Sequence, residues 1–359
     1  MMKIMQVIPV LDIGGAETML CNLSCELQKM GHNVMVVTYY ERESSLEYKL
    51  KKNGVKLYSL DKKVGFDIKT IRKLKNLINE EKPDIIHTHL HVLPYVWLAS
   101  GKTKIIHTLH SIAQKEQSGI GKIICGWLYR NSHKCIPVAI SFGVYESLKI
   151  EHRVKRDIPV VENGVPVENI ISKESYVLND YIEIYHVGRI VPLKNHEMMV
   201  EACEKLVEEY PTIRFHFFGE GPDSKKISKM IEDRRLEDNV LLEGTHSTLE
   251  SELCRGDIFI LPSEYEGMPM SLIEAMAAGL PCVATNVGGV PDLIDDGKNG
   301  ILIRRNIDSL VDAIKMLIEN LSFRETIGKA AKEKSVLFSS KTMAEKYIEV
   351  YLKSLGKEN

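Results

Sequence analysis

The sequence Leu261-Pro-Ser-Glu-Tyr-Glu-Gly-Met-Pro-Met-Ser-Leu-Ile-Glu-Ala-Met-Ala-Ala-Gly279 decides the interpretation of this chain. The apolar residues 258–261 predict a buried strand, and residues 272–278 predict a helix that a glycine ends. A strand, a glycine turn and a helix in that order place the turn at the carboxyl end of a parallel sheet, where such sheets bind ligands. The start of the helix attracts anions through its free backbone N–H groups. Glu266 on the turn and Glu274 on the helix are therefore predicted to flank one ligand.

The composition is that of a soluble globular protein with room for two domains. The chain has 359 residues, of which 44% are hydrophobic and 27% are charged. No apolar run approaches the roughly 18 residues that a membrane-spanning helix requires. Residues 1–9 predict a first strand and not a targeting segment. The seven cysteines form no C-x-x-C pair, which indicates reduced thiols in a cytosolic protein.

The charge is distributed unevenly between the two halves of the chain. Residues 1–165 contain 24 Lys and Arg against 16 Asp and Glu, whereas residues 166–359 contain 23 against 33. A basic first half predicts an anionic partner. Nucleic acid is disfavoured because no nucleic-acid-binding signature is present. An anionic membrane surface or a lipid-phosphate acceptor fits better, because residues 120–134 mix basic with large apolar side chains. A helix packed on its own core, with solvated lysines, stays open as the alternative.

Strand-like and helix-like segments alternate along the whole chain, which predicts an α/β protein with parallel sheets. Residues 159–161 are predicted to form the last strand of a first sheet, and the polar residues 166–181 are predicted to be a linker. A second alternation of strands and helices follows. We therefore predict an N-terminal domain of residues 1–168 and a C-terminal domain of residues 169–340, both doubly wound like a Rossmann fold.

Two further turns follow predicted strands and carry groups that suit phosphates. Gly14 and Gly15 come after the first strand and open a helix, so the backbone can approach a phosphate closely. Arg189 and Lys194 follow the first strand of the second half, and a guanidinium fork with an ammonium suits a diphosphate. The first turn lacks the G-x-G-x-x-G pattern, which disfavours a nicotinamide or flavin site.

The segment with Glu266 and Glu274 resembles the E-x7-E signature of the retaining GT-B glycosyltransferases of group 1, and the pattern at Arg189 and Lys194 is similar to that family's G-R-x4-K loop. The resemblance implies a GT-B fold, with two Rossmann-like doubly wound domains facing across a cleft. The closing helix, about residues 341–359, would cross back to the first domain. The implied enzyme is a retaining hexosyltransferase of polysaccharide biosynthesis. It would move a sugar from a nucleoside-diphosphate donor on the second domain to a hydroxyl of a glycan or lipid-linked acceptor on the first.

The resemblance also implies a role for each candidate site residue. Arg189 and Lys194 would bind the diphosphate and neutralise it as it leaves. Glu274 would hold the ribose, and Glu266 would contact the donor sugar and stabilise oxocarbenium character. His110, in a T-x-H pattern after a strand, would lie near the donor sugar, and it completes the catalytic candidates with Glu266, Arg189 and Lys194. The remaining expected donor contacts are Gly14, Gly15, Gly219, Thr245, Gly267, Met268, Met270 and Ser271.

The alternating histidines His87, His89 and His91 raise the question of a metal site. Alternate residues of a strand share one face, but their spacing is too wide for one ion unless the strand bends. No Asp-x-Asp occurs either. We therefore expect neither a metal nor a bound cofactor, and we favour UDP over GDP as the nucleotide of the donor substrate.

Two other functions stay open. Another GT-B enzyme, such as a nucleotide-sugar epimerase, would act on the donor without an acceptor, and a phosphorylase would need a cofactor lysine for which no motif is present. A non-catalytic sugar-nucleotide-binding protein would not hydrolyse a donor at all. The expected location is the cytoplasm, with the protein peripheral on the inner face of the plasma membrane.

Overall fold

The structure is a computed structural model that describes residues 1–12, 14–116, 119–246 and 249–357. It divides into two compact units. Unit 1 contains Met1–Val165 and the described residues from Ser339 onward, and unit 2 contains Pro166–Phe338. Two parts of the predictions, Ile13 of the glycine turn and residues 358–359 of the last helix, lie outside the described residues.

Unit 1 is a parallel sheet with helices on both faces. Its strands are β1 (Lys3–Ile8), β2 (Asn33–Thr38), β3 (Lys56–Ser59), β4 (Ile85–His89), β5 (Lys104–Leu109) and β6 (Cys135–Ala139). Its helices are α1 (Gly15–Lys29), α2 (Ser45–Lys52), α3 (Ile68–Glu81), α4 (Leu93–Ala99), α5 (Ala113–Glu116), α6 (Gly119–Asn131), α7 (Phe142–Glu151) and, at the end of the chain, α15 (Ser340–Ser354). The strand order is β3-β2-β1-β4-β5-β6.

The order of the strands fixes where each helix lies. From β1 the chain moves to β2 and β3 on one side, and it then crosses to β4, β5 and β6 on the other side. Right-handed crossovers place the helices of the two directions on opposite faces of the sheet. Accordingly α1 contacts α2 and α15, whereas α3 contacts α4 and α4 contacts α6. The switch point of this sheet lies between β1 and β4.

The last helix, α15, is an integral part of unit 1. It packs on α1 and buries Tyr347 and Tyr351 completely. The Tyr351 hydroxyl lies 2.7 Å from His87 Nδ1, and the Tyr347 hydroxyl lies 2.7 Å from Thr108 Oγ1. These buried polar contacts attach the C-terminal helix to strands β4 and β5.

Unit 2 repeats the architecture. Its strands are β7 (Ile182–Val187), β8 (Ile213–Phe218), β9 (Val240–Gly244), β10 (Ile258–Leu261), β11 (Cys282–Thr285) and β12 (Ile301–Ile303). Its helices are α8 (His196–Val207), α9 (Ser224–Asp233), α10 (Leu249–Glu252), α11 (Met270–Ala277), α12 (Val290–Leu293), α13 (Ile307–Glu319) and α14 (Leu321–Ser335). The parallel strand order is β12-β11-β10-β7-β8-β9, so the switch point lies between β7 and β10.

Helix α13 shows how the sequence specifies these elements. Leu310, Ile314 and Leu317 recur at helical spacing and are fully buried in the core of unit 2. Burial of each such side chain contributes about 2 kcal/mol. The helix begins where the Asn306 side chain accepts a hydrogen bond of 2.8 Å from the Ser309 backbone N–H. Loss of such a cap costs about 1 kcal/mol.

Two predictions about the region between the sheets were wrong. Residues 159–161 form no strand, because only Val160 bridges to Ala139 at the sheet edge. The predicted linker, residues 166–181, belongs to unit 2 from Pro166 onward. Within it Tyr176 is 6% exposed and donates a hydrogen bond of 2.9 Å to the Gly279 carbonyl. The segment was predicted to be a linker because it is polar and shows no periodic apolar pattern, and such a sequence does not indicate the burial of single residues such as Tyr176.

Candidate active site

The candidate site of unit 2 lies at its switch point, where the loops after β7 and β10 meet. Arg189 and Lys194 follow β7, and Glu266 follows β10. The two loops are joined by a hydrogen bond of 2.9 Å from the Glu264 backbone N–H to the Leu193 carbonyl. Adjacent parallel strands that diverge here leave a crevice at their carboxyl ends, which is where sheets of this type hold ligands.

Lys194 and Glu266 form an ion pair at this point. Lys194 Nζ donates to Glu266 Oε1 at 2.6 Å, and the side chains are 17% and 9% exposed. Ser263 Oγ donates to the same carboxylate oxygen at 2.5 Å. The carboxylate is therefore held by two donors in a partly dry environment, where charge interactions are stronger than in water. Arg189 is exposed at the start of the same loop.

Gly219 and its neighbour Gly221 position the loop that carries Arg189. A Cβ on Gly219 would lie 2.2 Å from the Gly188 carbonyl oxygen, and a Cβ on Gly221 would lie 2.1 Å from that of Ile190. Hydrogen bonds from Gly188 N–H to Phe218 O and from Ile190 N–H to Glu220 O join the two loops. Gly219 therefore has a packing role in the structure, in addition to the donor contact that the sequence predicts. Thr245, after β9, is exposed.

Helix α11 points its amino end at the same edge of the sheet. It begins at Met270, after Pro269 in extended conformation. The N–H groups of Met270 and Ser271 lie in the first turn, where no intrahelical acceptor is available. Gly267 and the buried Met268 connect this helix start to Glu266. Glu274 lies on α11 and is half-buried.

Unit 1 carries its own polar cluster at the β1/β4 switch point. His89 Nε2 lies 2.9 Å from Gln6 Oε1, an acceptor, so this nitrogen carries the proton of the neutral ring. His89 Nδ1 then holds a lone pair, 2.9 Å from His110 Nε2. His110 must therefore donate from Nε2, which leaves a lone pair on its Nδ1. That nitrogen is buried and has no hydrogen-bond partner among the described residues.

Both histidines are neutral at physiological pH. Burial lowers the pKa of His110 to about 3. Burial lowers the pKa of His89 well below its ordinary value, and repulsion from neighbouring histidines, when these are protonated, lowers it further. The His110 loop is held by Glu116, whose carboxylate accepts from the His110 backbone N–H at 3.2 Å. Burial raises the pKa of Glu116 to about 7. His110 can thus accept a hydrogen bond from a hydroxyl or an amide N–H.

The histidines of β4 do not converge on a common point. His87 reaches Tyr351 and Thr108 with its two nitrogens, whereas His89 reaches Gln6 and His110. His91 lies in the following turn and is exposed. Among the described residues, no group of three or more His, Cys, Asp or Glu side chains is arranged to hold a metal ion.

The structure therefore collects the predicted residues on two sheets. Arg189, Lys194, Gly219, Thr245, Glu266, Gly267, Met268, Met270, Ser271 and Glu274 lie at or beyond the carboxyl ends of the strands of unit 2. Gly14, Gly15 and His110 lie at the corresponding edge of unit 1. Gly15 begins α1, and Gly14 is its extended N-cap.

Sequence reasoning missed several supporting residues. Ser263 binds Glu266 directly, and Gln6 fixes the proton of His89. Gly288 contacts the site through its backbone, since a Cβ there would lie 1.7 Å from the Glu266 carbonyl oxygen. The glycine pair at positions 288 and 289, between β11 and α12, was the available signal. Ser263 and Gln6 carried none, because a single serine or glutamine is common in any strand or loop.

Both halves of the chain match family models of glycosyltransferases. Residues 168–334 match the model of the family described as glycosyl transferases group 1, and residues 13–169 match that of glycosyltransferase family 4. The chain belongs to the group 1 GT-B glycosyltransferases. The fold is the two-domain α/β GT-B fold that the sequence predicted.

Two relatives illustrate the similarity in sequence. The chain is 30% identical over 273 residues to the poly(ribitol-phosphate) alpha-N-acetylglucosaminyltransferase of Staphylococcus aureus (strain COL), a match that covers 69% of this chain and 52% of that protein. The chain thus spans about half the length of this relative. It is 25% identical to the N-acetyl-alpha-D-glucosaminyl L-malate synthase of Bacillus anthracis, over 95% of this chain and 94% of that protein.

A solved structure supports the fold. The structure of HepE from Anabaena in complex with UDP and glucose superposes with a TM-score of 0.85 and 18% identity. The match covers 98% of this chain and 100% of that one. At this identity the similarity concerns the fold.

Proposed function

We propose that this group 1 glycosyltransferase moves a sugar from a UDP-sugar to a hydroxyl of a lipid-linked or surface-polysaccharide glycan, with retention of configuration. The observation that carries the proposal is the Lys194–Glu266 pair, 2.6 Å apart, at the β7/β10 switch point. A cation that can neutralise a diphosphate and a carboxylate that can face a sugar meet there, at the edge where sheets of this type hold ligands.

The reaction breaks the bond between the anomeric carbon of the donor and the diphosphate, and it leaves negative charge on the departing oxygen. Lys194 and the exposed Arg189 would meet that charge as preorganised donors. The N–H groups at the start of α11 would add favourable dipoles. Because these groups come from the protein, we propose that transfer proceeds without a divalent metal.

The carboxylates would hold the other parts of the donor. Glu266 is fixed by Lys194 and Ser263, so its charge is oriented before the donor arrives. It would stabilise positive character on the sugar ring. Glu274, further along α11, would accept hydrogen bonds from the ribose hydroxyls. The same-face attack of the acceptor would be assisted by the leaving phosphate, and we assign no covalent nucleophile.

His110 would act as a hydrogen-bond acceptor. Its Nδ1 lone pair, set by the Gln6–His89 chain, suits a sugar hydroxyl. We assign Gly14 and Gly15 to the approach of the phosphate and the acceptor. The presence of UDP and glucose in the HepE structure, and the poly(ribitol-phosphate) in the name of the Staphylococcus relative, support a UDP-sugar and a polymer acceptor. The proposed setting is the cytoplasm, at the inner face of the plasma membrane.

The proposal is tested by donor binding and donor turnover. We expect UDP to raise the unfolding temperature more than GDP, since a ligand of the folded state raises apparent stability. Hydrolysis of a UDP-sugar should continue in the presence of a chelator, and NMR should show that the anomeric configuration is retained in the first product. Loss of turnover in chelator that manganese restores would contradict the metal-free mechanism. Epimerised donor without sugar transfer would indicate the epimerase alternative.

A further inference from the structure

Helix α6 presents apolar side chains on two opposite sides. Cys125, Leu128 and Tyr129 face inward and are buried. On the outer side, Ile120, Ile123, Ile124 and Trp127 are 75%, 72%, 39% and 50% exposed. Their spacing of three and four residues places them on one face of the helix. A helix that is apolar on its outer side as well indicates a second, apolar environment.

The apolar surface continues onto the neighbouring helices. Leu98 of α4 is 54% exposed, and Phe66, just before α3, is 76% exposed. The helices α3, α4 and α6 contact one another in that order, on the side of the sheet that right-handed crossovers assign to them. The rings of Trp97 and Trp127 lie 6.3 Å apart and connect α4 to α6. We call Phe66, Leu98, Ile120, Ile123, Ile124 and Trp127 the outer apolar face.

Exposed basic side chains lie on the group of helices that carries the outer apolar face. Lys63, Lys69, Arg72 and Lys75 are exposed on and just before α3, the helix that Phe66 precedes, and Lys102 is exposed after α4. They belong to the half of the chain in which 24 Lys and Arg oppose 16 Asp and Glu. Exposed apolar side chains together with exposed cations on the same group of helices match a bilayer with anionic headgroups, which offers hydrocarbon in its interior and negative charge at its surface.

We propose that the outer apolar face binds the surface of an anionic lipid bilayer. The contact that we propose is with the bilayer surface. In the described part of the chain, no helix is long and apolar enough to cross a membrane. A second copy of this chain fits the surface less well, since a twofold contact would bring like-charged lysines together. This proposal assigns the residues that would hold the protein at the inner face of the plasma membrane, and it does not depend on the proposed transfer reaction.

Binding to vesicles tests the inference with the full-length protein. Phosphatidylcholine vesicles with about 30% phosphatidylglycerol should pellet the protein and shift the fluorescence of the half-exposed Trp127 to shorter wavelength, whereas pure phosphatidylcholine should bind it far less. Replacement of one exposed apolar residue by a charged one, Ile123→Glu, should weaken binding at least about tenfold. Each removed cation in Lys69→Gln/Lys75→Gln should weaken it about fivefold.

Met316→Glu provides the matched control. Met316 is 50% exposed on helix α13 of unit 2, so its change introduces the same charge on a helix outside the outer apolar face. Normal vesicle binding by this variant, with loss in Ile123→Glu, supports the inference. Equal binding by Ile123→Glu and the parent, or equal binding to both kinds of vesicle, overturns it.

Two further measurements separate this inference from others. Sedimentation equilibrium should show the same mass for the parent and for Ile123→Glu. A dimer that Ile123→Glu dissociates, in a protein that ignores vesicles, would assign the face to a second copy and refute the inference. UDP binding should be equal in both proteins. A parent that binds UDP but no anionic vesicle would refute the membrane surface and leave the proposed function standing.

Discussion

Lys194→Met removes one charge of the central ion pair and keeps the aliphatic stem of the side chain. At 2.6 Å and an effective dielectric of about 20, the attraction between the two charges is about 6 kcal/mol before desolvation is subtracted. The substitution leaves the Glu266 carboxylate, 9% exposed, without its cation. Loss of one partner of a largely buried pair costs about 3 kcal/mol of folding free energy.

The opposite change, Glu266→Gln, should cost less. It leaves the Lys194 ammonium, which is 17% exposed at the loop surface and carries a flexible stem that lets it turn toward water. We expect a loss of about 1 kcal/mol. The double variant Lys194→Met/Glu266→Gln should lose less folding free energy than the two single variants lose together, and the difference, the coupling energy, should be about 2 kcal/mol.

Urea unfolding followed by two probes measures these effects. The two tryptophans of the chain are Trp97 and Trp127, both in unit 1, so fluorescence reports unit 1 and far-UV circular dichroism reports both units. Lys194→Met should lower the circular-dichroism midpoint and leave the fluorescence transition in place. Its activation free energy at saturating donor should rise by about 3 kcal/mol, so turnover should fall roughly 100-fold or more. Equal stability losses in the two single variants, or additivity in the double variant, would refute the reasoning.

Three other predictions concern the two switch points. Gly219→Ala would place a Cβ 2.2 Å from the Gly188 carbonyl oxygen at a φ of +141°, so we expect a loss of about 2 kcal/mol or more of folding free energy and weaker UDP binding. Gly297→Ala is the control, because Gly297 also has a positive φ but open space around the position of a Cβ. Equal UDP binding by the two variants would contradict the packing role of Gly219. His89→Phe removes the acceptor for His110 Nε2–H, so kcat/KM should fall about tenfold with UDP affinity unchanged, and unaltered kcat/KM would show that the chain does not position His110. Burial lowers the pKa of His107 and His110 to about 3, so the unfolded state binds the extra protons below pH 6.5, and each histidine should cost unit 1 about 1.4 kcal/mol per pH unit as the pH falls from 6.5 toward 3. Burial raises the pKa of Glu116 to about 7, which stabilises unit 1 by about 1.4 kcal/mol per pH unit between pH 7 and 4.5, so the two histidines should outweigh it and the fluorescence-detected urea midpoint should fall between pH 7.5 and 5.0. A midpoint that is the same at the two pH values would contradict this.

The sequence predicted most of the fold because both sheets consist of continuous apolar strands bounded by glycine turns. The strands Ile182–Val187 and Ile258–Leu261 stand out for this reason. Helix α14 was not predicted, since its exposed side is rich in lysine and glutamate and its buried residues include a single large apolar side chain, Ile327. The prediction of a strand at residues 159–161 was wrong because a short apolar run is equally compatible with a paired strand and with a single bridge to a sheet edge, which is what the structure shows.

The site was predicted as a set of residue types and not as a set of contacts. Lys194 and Glu266 were assigned to different parts of the donor, whereas the structure pairs them directly. The two residues are 72 positions apart in the sequence, and this spacing does not indicate a contact. The contact arises because β7 and β10 are neighbours in the sheet. The proton positions of His89 and His110 likewise depend on Gln6, a residue of a strand 83 positions away from His89.

A crystal structure of the protein with UDP tests the central claim most directly. We expect the diphosphate at the carboxyl ends of β7 and β10, with Lys194 Nζ and the Arg189 guanidinium within about 3 Å of its oxygens. Glu274 should contact the ribose. A diphosphate bound elsewhere, or one that leaves both cations directed into solvent, would contradict the proposed donor site.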